Sequence, residues 1–213
     1  MTDWIPWGGV FLLGAYHGLN PAMGWLFALA LGLQERRRRA LLQALVPIGI
    51  GHFLAVGAVA LLLTALPNVL PLRFVRGGIA LVLAGFGVFR LVRARHPRWV
   101  GLRVGFRDLV LWSTLMASSH GAGLMLSPFL LGPFCVVPGQ YGSGGLDPAW
   151  LLSLRHSLRM VGAHTLGYLL TMALVAWIIY EGGRLALLRQ AWVNLDLLWA
   201  FALMATALFS FLL

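Results

Sequence analysis

Six long apolar runs, separated by short segments that carry most of the charge, constrain this chain more than any other feature. Each run has about 20 residues or more, the length that a helix needs to cross the hydrocarbon core of a bilayer. Because lipid offers no hydrogen-bond partners to a backbone, an exposed segment at that depth has to be helical. The sequence therefore predicts an all-α integral membrane protein with six transmembrane helices. The runs cover residues 4–34, 41–66, 72–92, 108–134, 151–180 and 193–213.

The composition agrees with a membrane protein and leaves little room for a soluble domain. The 213 residues are 60% hydrophobic and only 10% charged, whereas a soluble domain carries about 25% charged residues. We therefore expect one transmembrane domain, residues 1–213. The formal net charge of +10 would suit a nucleic-acid partner, but basic residues beside spans normally mark the cytoplasmic side of a membrane. The lipid bilayer is the expected partner, and nucleic acid is not.

The arginines predict the orientation of the chain in the membrane. Twelve of the 16 basic residues, all arginine, lie in the connections after the first, third and fifth runs, which alternate onto one side. By the positive-inside rule that side is cytoplasmic and both termini lie outside. The N-terminus lacks the basic start and small-residue cleavage site of a secretory signal. We expect an integral protein of a bacterial or archaeal cytoplasmic membrane.

The first run is too long for one straight crossing. Its middle holds Gly18, Asn20 and Pro21, and proline removes a backbone donor and clashes with the preceding helical turn. The first helix is therefore expected to break near residues 17–21.

A histidine followed by glycine occurs twice, and each occurrence is followed by a second intramembrane histidine. His17 and His120 precede glycines in the first and fourth runs, and His52 and His164 lie in the second and fifth, near other glycines. The repeating unit is three spans long, so its two copies must have opposite orientations. Many secondary transporters are built from such inverted repeats. Repeat one is expected at about residues 1–95 and repeat two at about residues 105–213.

The repeated histidines predict a metal site. Ionisable side chains at membrane depth are costly and therefore suggest function, although a single histidine would more simply be a hydrogen bond between helices. Imidazole is a common ligand for nickel, cobalt, copper and zinc, which are not resolved by the pattern. No acidic residue lies deep in a run, apart from Asp196 near an end of the sixth, which disfavours magnesium and calcium. The predicted ligands are His17, His120, His52 and His164, with Asn20, Ser119, Met23 and Met125 along the substrate path.

Three further features complete the prediction. Arg155 and Arg159 are four residues apart on one helix face, where they are expected to contact an anion or lipid headgroups, or simply to reach the interface. The single Cys135 excludes a disulfide within the chain and is a candidate soft ligand near the outer mouth. A homodimer or a membrane partner subunit could pack on lipid-facing glycines of the third run. These are Gly77, Gly78, Gly85 and Gly87.

The phrase His17-Gly-Leu-Asn20-Pro21 resembles the first-helix signature of the lysine-exporter-type (LysE) superfamily of small six-span transporters. That superfamily includes nickel/cobalt exporters, TauE-like sulfite exporters and CcdA/DsbD-like electron carriers. The resemblance implies two inverted three-span repeats. Nickel/cobalt members carry an Asp-His pair shortly after the first histidine, where this chain has Asn20, Ala22 and Met23. The electron carriers need two membrane cysteines, and this chain has one.

The sequence thus predicts a multi-pass transporter of a divalent transition-metal ion, with a histidine-centred site that works by alternating access. One alternative is a membrane redox protein or metalloenzyme whose histidines hold a haem or a metal. Another is a membrane subunit of a larger complex that transports nothing. No motif of a soluble hydrolase, metalloprotease or phosphate-binding loop is present, so an enzyme is the less favoured reading.

Overall fold

The structure, a computed structural model, describes residues 4–92, 105–132, 148–182 and 195–212. Within those ranges every regular element is helical. Short 3₁₀ turns at Pro21–Met23, Leu66–Asn68 and Leu124–Leu126 follow α1, α3 and α5. The α-helices are α1 (Trp4–Leu19), α2 (Trp25–Glu35), α3 (Arg38–Ala65), α4 (Leu72–Val92), α5 (Phe106–Ser119), α6 (Ser127–Leu131), α7 (Pro148–Gly182) and α8 (Leu195–Leu212).

Several of these helices are long and apolar enough to cross a membrane, which confirms the helical membrane-protein prediction at that level. Three qualify alone, over Arg38–Asn68, Leu72–Phe89 and Leu151–Gly182. A fourth is formed if the bent pair Phe106–Ser119 and Leu124–Leu131 counts as one span. Shorter apolar helices occupy Trp25–Glu35 and Leu197–Leu212. The helices fall within or close to the six predicted runs.

The first run is broken where the sequence predicts. Helix α1 ends at Leu19, and the side-chain oxygen of Asn20 accepts a hydrogen bond of 3.0 Å from the Ala22 amide. Pro21 then starts a 3₁₀ turn, and Gly24 follows with φ of 128°. A side chain tolerates such a φ poorly, so the glycine allows the chain to restart as α2.

The fourth run is also broken, which was not predicted from the sequence. Helix α5 ends at Ser119, Gly121 has φ of 69°, and the two parts of the span meet at 54°. Glycine adopts this left-handed conformation without the steric cost that other residues meet. The signal was present in the sequence as Gly121 and Gly123 beside His120, with Pro128 soon after. It was weaker than in the first run because the proline lies eight residues after the histidine and not four.

In two helix pairs, glycines bring the two backbones into direct contact. A Cβ added to Gly14 of α1 would lie 2.0 Å from the carbonyl oxygen of His164 on α7, and one added to Gly167 would lie 2.3 Å from that of Phe11. A Cβ on Gly51 of α3 would lie 2.3 Å from the carbonyl oxygen of Val110 on α5. Small residues permit this approach in membranes. The closest packing therefore joins α1 to α7 and α3 to α5.

Hydroxyl groups strengthen the second of these pairs. Ser113 donates to the Ile48 carbonyl at 2.7 Å, and Thr114 donates to the Gly51 carbonyl at 3.2 Å. Helix α4 packs mainly on α8. Of the four glycines proposed for a dimer surface, Gly77, Gly78 and Gly85 face open space, whereas Gly87 packs on Met204 of α8.

Helices α3 and α7 run antiparallel along the middle of the molecule. At one end the Arg38 guanidinium pairs with Glu181, with Nε 2.7 Å from the carboxylate oxygen. At the other end the hydroxyls of Thr64 and Ser157 share a hydrogen bond of 2.8 Å. The first of these ends carries the Arg36–Arg39 connection, and the second carries the start of α4 and the start of α7. The arginine pattern predicts that the first of these ends lies on the cytoplasmic side and that the second lies outside.

Candidate intramembrane histidine site

Three of the four predicted histidines meet in the core. The ring centroids of His17 and His164 are 5.0 Å apart, those of His52 and His164 are 5.4 Å apart, and those of His17 and His52 are 5.8 Å apart. All three side chains are fully buried. Helices α1, α3 and α7 each contribute one ring, so residues far apart in sequence form one cluster.

The fourth histidine joins this cluster through a tryptophan. His120, also fully buried, lies at the end of α5, and its ring centroid is 5.9 Å from that of Trp199 on α8. The Trp199 ring lies edge-on to His17 with a centroid separation of 4.2 Å. His120 is close enough to His17 for the two to interact electrostatically. We define the histidine cluster as His17, His52, His120 and His164.

The two histidines of the repeated step have the same local hydrogen bond. His17 Nδ1 lies 3.2 Å from the Leu13 carbonyl oxygen, and His120 Nδ1 lies 2.8 Å from that of Met116. A carbonyl only accepts, so Nδ1 must be the donor, and in a neutral ring Nε2 then carries the lone pair. In both cases the acceptor lies one helical turn earlier. This bond orients each ring and fixes the tautomer that can ligate a metal through Nε2.

Several polar atoms of the cluster are buried with no hydrogen-bond partner in the described part of the chain. They are Nε2 of His17 and both ring nitrogens of His52, whereas the His164 ring bonds to the main chain of Val10. Leaving a buried polar group unsatisfied costs about 1–3 kcal/mol. Such groups call for a function, because a buried imidazole nitrogen with a free lone pair can bind a cation or a proton.

The ring centroids have the spacing expected around a single bound ion, but the rings are not oriented to bind one. Two imidazoles on one tetrahedral zinc, with Zn–N bonds of about 2.1 Å, have ring centroids about 5.2 Å apart. The three separations in the cluster lie close to that value. Over the described residues, however, no group of three or more histidine, cysteine, aspartate or glutamate side chains has a geometry that could hold a metal ion. His52 and His164 are stacked at 14°, so their rings would have to turn for both to ligate.

The cluster lies at mid-depth of the helices that carry it. Along α3, the rise from Arg38 to His52 is about 21 Å, and the rise from His52 to Thr64 is about 18 Å. Since Arg38 contacts α7 at Glu181 and Thr64 contacts it at Ser157, His52 lies near the centre of the stretch over which α3 packs on α7. A hydrocarbon core about 30 Å thick would place it near the midplane.

The proposed substrate-path residues have different surroundings. Asn20 is buried and caps the break in the first run, while its Nδ2 has no partner within the described ranges. Met23 and Met125 are buried core residues. Ser119 is exposed, and its hydroxyl bonds to the Met116 carbonyl at 3.0 Å and approaches His120 Nδ1 at 3.2 Å. The substrate path stays a prediction for all four.

The remaining predicted residues lie away from the cluster or outside the described ranges. Arg155 and Arg159 are exposed near the start of α7 and line a shallow groove with three leucines. Their contact with an anion or lipid stays a prediction. Cys135 lies outside the described residues, as do most of the arginines after the third run.

Sequence reasoning missed two aromatic residues that contact the histidines. The Tyr168 ring stacks on His52 with a centroid separation of 3.8 Å, and Trp199 contacts both His17 and His120. Tyr168 could have been found, because it lies four residues after His164 on the same helix face. Trp199 gave no signal, since nothing in its neighbourhood distinguishes it from the other apolar residues of the sixth run.

The fold and the cluster together define an all-helical protein of membrane type with a buried, histidine-lined centre. Comparison of the chain with protein-family models, with curated proteins and with solved structures gave no match. The function therefore has to be argued from the site itself.

Proposed function

We propose that this protein is a six-span membrane transporter of a divalent transition-metal ion, which the histidine cluster binds during alternating access. The observation that carries the proposal is the cluster itself. Rings from three helices have the spacing of ligands around one ion, and Nε2 of His17 and both ring nitrogens of His52 are buried without a hydrogen-bond partner among the described residues. Ionisable groups at such a depth normally serve a substrate or ion pathway.

Six spans in two inverted repeats are the architecture that we propose. In this scheme α1 with α2, α3 and α4 form spans one to three, and α5 with α6, α7 and α8 form spans four to six. The packing of span one on span five has its counterpart in the packing of span two on span four. Both first spans of the repeats are broken just after their histidine. A two-fold relation between the halves explains both observations, and it accords with the resemblance to the lysine-exporter-type superfamily.

The distribution of the histidines supports alternating access. His17 and His164 belong to the tightly joined α1–α7 pair, whereas His52 and His120 belong to the α3–α5 pair. Each pair thus supplies two ligands to a site that lies between them. Rocking of one pair against the other would expose the site first to one side and then to the other, as in transporters built from inverted repeats.

The ligand chemistry favours a transition metal over magnesium or calcium. The described carboxylates of Glu35, Asp108 and Glu181 lie at helix ends and not beside the cluster. Neutral imidazoles suit zinc, nickel, cobalt and copper, whereas magnesium and calcium require oxygen ligands. We therefore propose that the substrate is one of these four ions.

The packing of the cluster favours an ion over a haem. The rings of His17, His52 and His164 contact one another, and Tyr168 and Trp199 cover two of them at centroid separations of 3.8 and 4.2 Å. A porphyrin would have to separate these rings. A subunit that transports nothing would not need the unpaired nitrogens, and its function would survive replacement of the four histidines.

Flux into proteoliposomes tests the proposal. Vesicles that contain the protein and a trapped metal indicator should take up at least one of Zn²⁺, Ni²⁺, Co²⁺ and Cu²⁺ faster than protein-free vesicles. The variants His17→Ala and His164→Ala should slow that uptake about tenfold or more, since each removes a ligand. His156→Ala is the matched control, because His156 packs on Trp7 at 5.6 Å and lies outside the cluster. Uptake of none of the four ions above the protein-free rate contradicts the proposed function.

A further inference from the structure

We infer that Tyr168 and Trp199 are positioning residues that couple the rotation of the histidine rings to the two helix breaks. The inference rests on the proposed function, because it assigns a role to residues around the same site. Each of the two side chains packs its ring on a histidine and bonds its polar end to the main chain at a break. Both are buried, with exposed fractions of 0% and 1%.

Tyr168 links His52 to the break in the first run. Its ring lies parallel to the His52 ring, at 12° and a centroid separation of 3.8 Å. Its hydroxyl donates a hydrogen bond to the carbonyl oxygen of Met23, which lies in the 3₁₀ turn between α1 and α2. A change in the tilt of His52 therefore presses on a ring that is anchored at the first break.

Trp199 makes the equivalent link to the break in the fourth run. Its ring lies edge-on to His17 at 4.2 Å, and its Nε1 donates to the carbonyl oxygen of His120 at 3.0 Å. His120 caps α5, and Gly121 with φ of 69° follows it. The Trp199 ring also stacks on that of Tyr16, with a centroid separation of 5.4 Å. This contact helps to hold the indole in place.

The coupling follows from the orientation of the rings. His52 and His164 are stacked at 14°, and no group of three described histidine, cysteine, aspartate or glutamate side chains has a geometry that could hold a metal ion, so ligation requires rings of the cluster to turn. A turn of His17, His52 or His120 moves a ring that touches a positioning residue. Because each residue also holds a carbonyl at a break, where the helical hydrogen bonds are already interrupted, the movement is passed to the weakest points of spans one and four. In this way, binding of an ion to the histidine cluster moves the helices on either side of each break. This movement opens the site to one side of the membrane or to the other.

Hydrogen exchange, binding and transport of Zn²⁺ test the inference on the full-length protein in nanodiscs and vesicles. Without ion, Tyr168→Phe should raise amide exchange in residues 19–25, and Trp199→Phe should raise it in residues 119–124, because each loses the bond at one break. In the unmodified protein Zn²⁺ should change exchange at both breaks, and each variant should lose that response at its own break. Both should bind Zn²⁺ within about threefold of the unmodified protein, yet transport it about tenfold more slowly at saturation.

Matched controls separate coupling from general loosening. Tyr180→Phe and Trp112→Phe remove the same atoms from α7 and α5, where Tyr180 packs beside Gly32 and Trp112 packs on Phe27. Both controls should behave as the unmodified protein does. Exchange at the breaks that is unchanged in Tyr168→Phe and Trp199→Phe overturns the inference. Failure of the unmodified protein to bind Zn²⁺, Ni²⁺, Co²⁺ or Cu²⁺ overturns the proposed function and the coupling together, so the two failures are distinguishable.

Discussion

At the scale of single residues, glycines determine how closely the histidines can approach. Gly14 lies against the main chain of His164 itself, so any side chain at position 14 would push α7, and its histidine, away from α1. The same contact keeps the His17 and His164 rings at 5.0 Å. The glycines beside the histidines therefore serve the geometry of the cluster.

Gly14→Ala should destabilise the protein, because its Cβ would lie 2.0 Å from the His164 carbonyl oxygen. Overpacking of this kind costs about 1–3 kcal/mol, so the melting temperature in detergent should fall by several degrees. Gly57→Ala is the control, since nothing lies within 4 Å of its added Cβ. Equal melting temperatures for the two variants would contradict the close contact of α1 and α7.

The histidines could be predicted from sequence, but their aromatic neighbours only in part. The His-Gly step and the depth of each histidine in an apolar run are visible in the chain, and the two Nδ1 bonds follow from helical spacing. Trp199 could not be assigned, because its contact with His17 depends on how α8 packs against distant elements. Tertiary contacts between residues far apart in sequence leave no periodic signal.

At the scale of helices, α3 and α7 form the seam along which the proposed movement occurs. Its ends differ, with an ion pair between Arg38 and Glu181 at one and a hydroxyl pair between Thr64 and Ser157 at the other. Arg38 also lies over the Trp177 ring at 5.6 Å. Exposed ion pairs contribute only about 0–1 kcal/mol to stability, so the Arg38 contact can open at little cost.

A cross-link at the hydroxyl end should stop transport. The double variant Thr64→Cys/Ser157→Cys, in a Cys135→Ser background, places two thiols where the hydroxyls are 2.8 Å apart. Oxidation should form a disulfide that holds α3 on α7, and transport should fall to the protein-free rate and return on reduction. Either single cysteine variant should transport equally under both conditions. Undiminished transport by the oxidised double variant, with the disulfide confirmed by mass spectrometry, would contradict movement at this seam.

The extents of the helices could be predicted better than their interruptions. Helix α4 begins at the predicted residue, Leu72, directly after Pro71. The first break was predicted from Pro21, whereas the second was missed because glycine only permits a left-handed turn and does not require one. The packing around Gly121, not its sequence neighbourhood, selects that conformation.

At the scale of the whole molecule, the placement of the charges and the packing of the helices both support a buried ion site at the histidine cluster. The apolar helices surround a centre that holds the buried histidine cluster, while the described carboxylates lie at helix ends. The packing of α1 on α7 and of α3 on α5 lets each helix pair contribute two histidines to the cluster. In the proposed transporter, a site shared between two helix pairs suits a small ion that passes from one side of the membrane to the other.

The metal content of the purified protein tests this account most directly. After loading with Zn²⁺ and removal of free ion, elemental analysis should find about one ion per chain in the unmodified protein and in His156→Ala. The double variant His52→Ala/His164→Ala should hold almost none, because it removes one ligand from each helix pair. Equal metal content in the unmodified protein and the double variant, or none in either after loading with any of the four ions, would contradict a metal site at the histidine cluster.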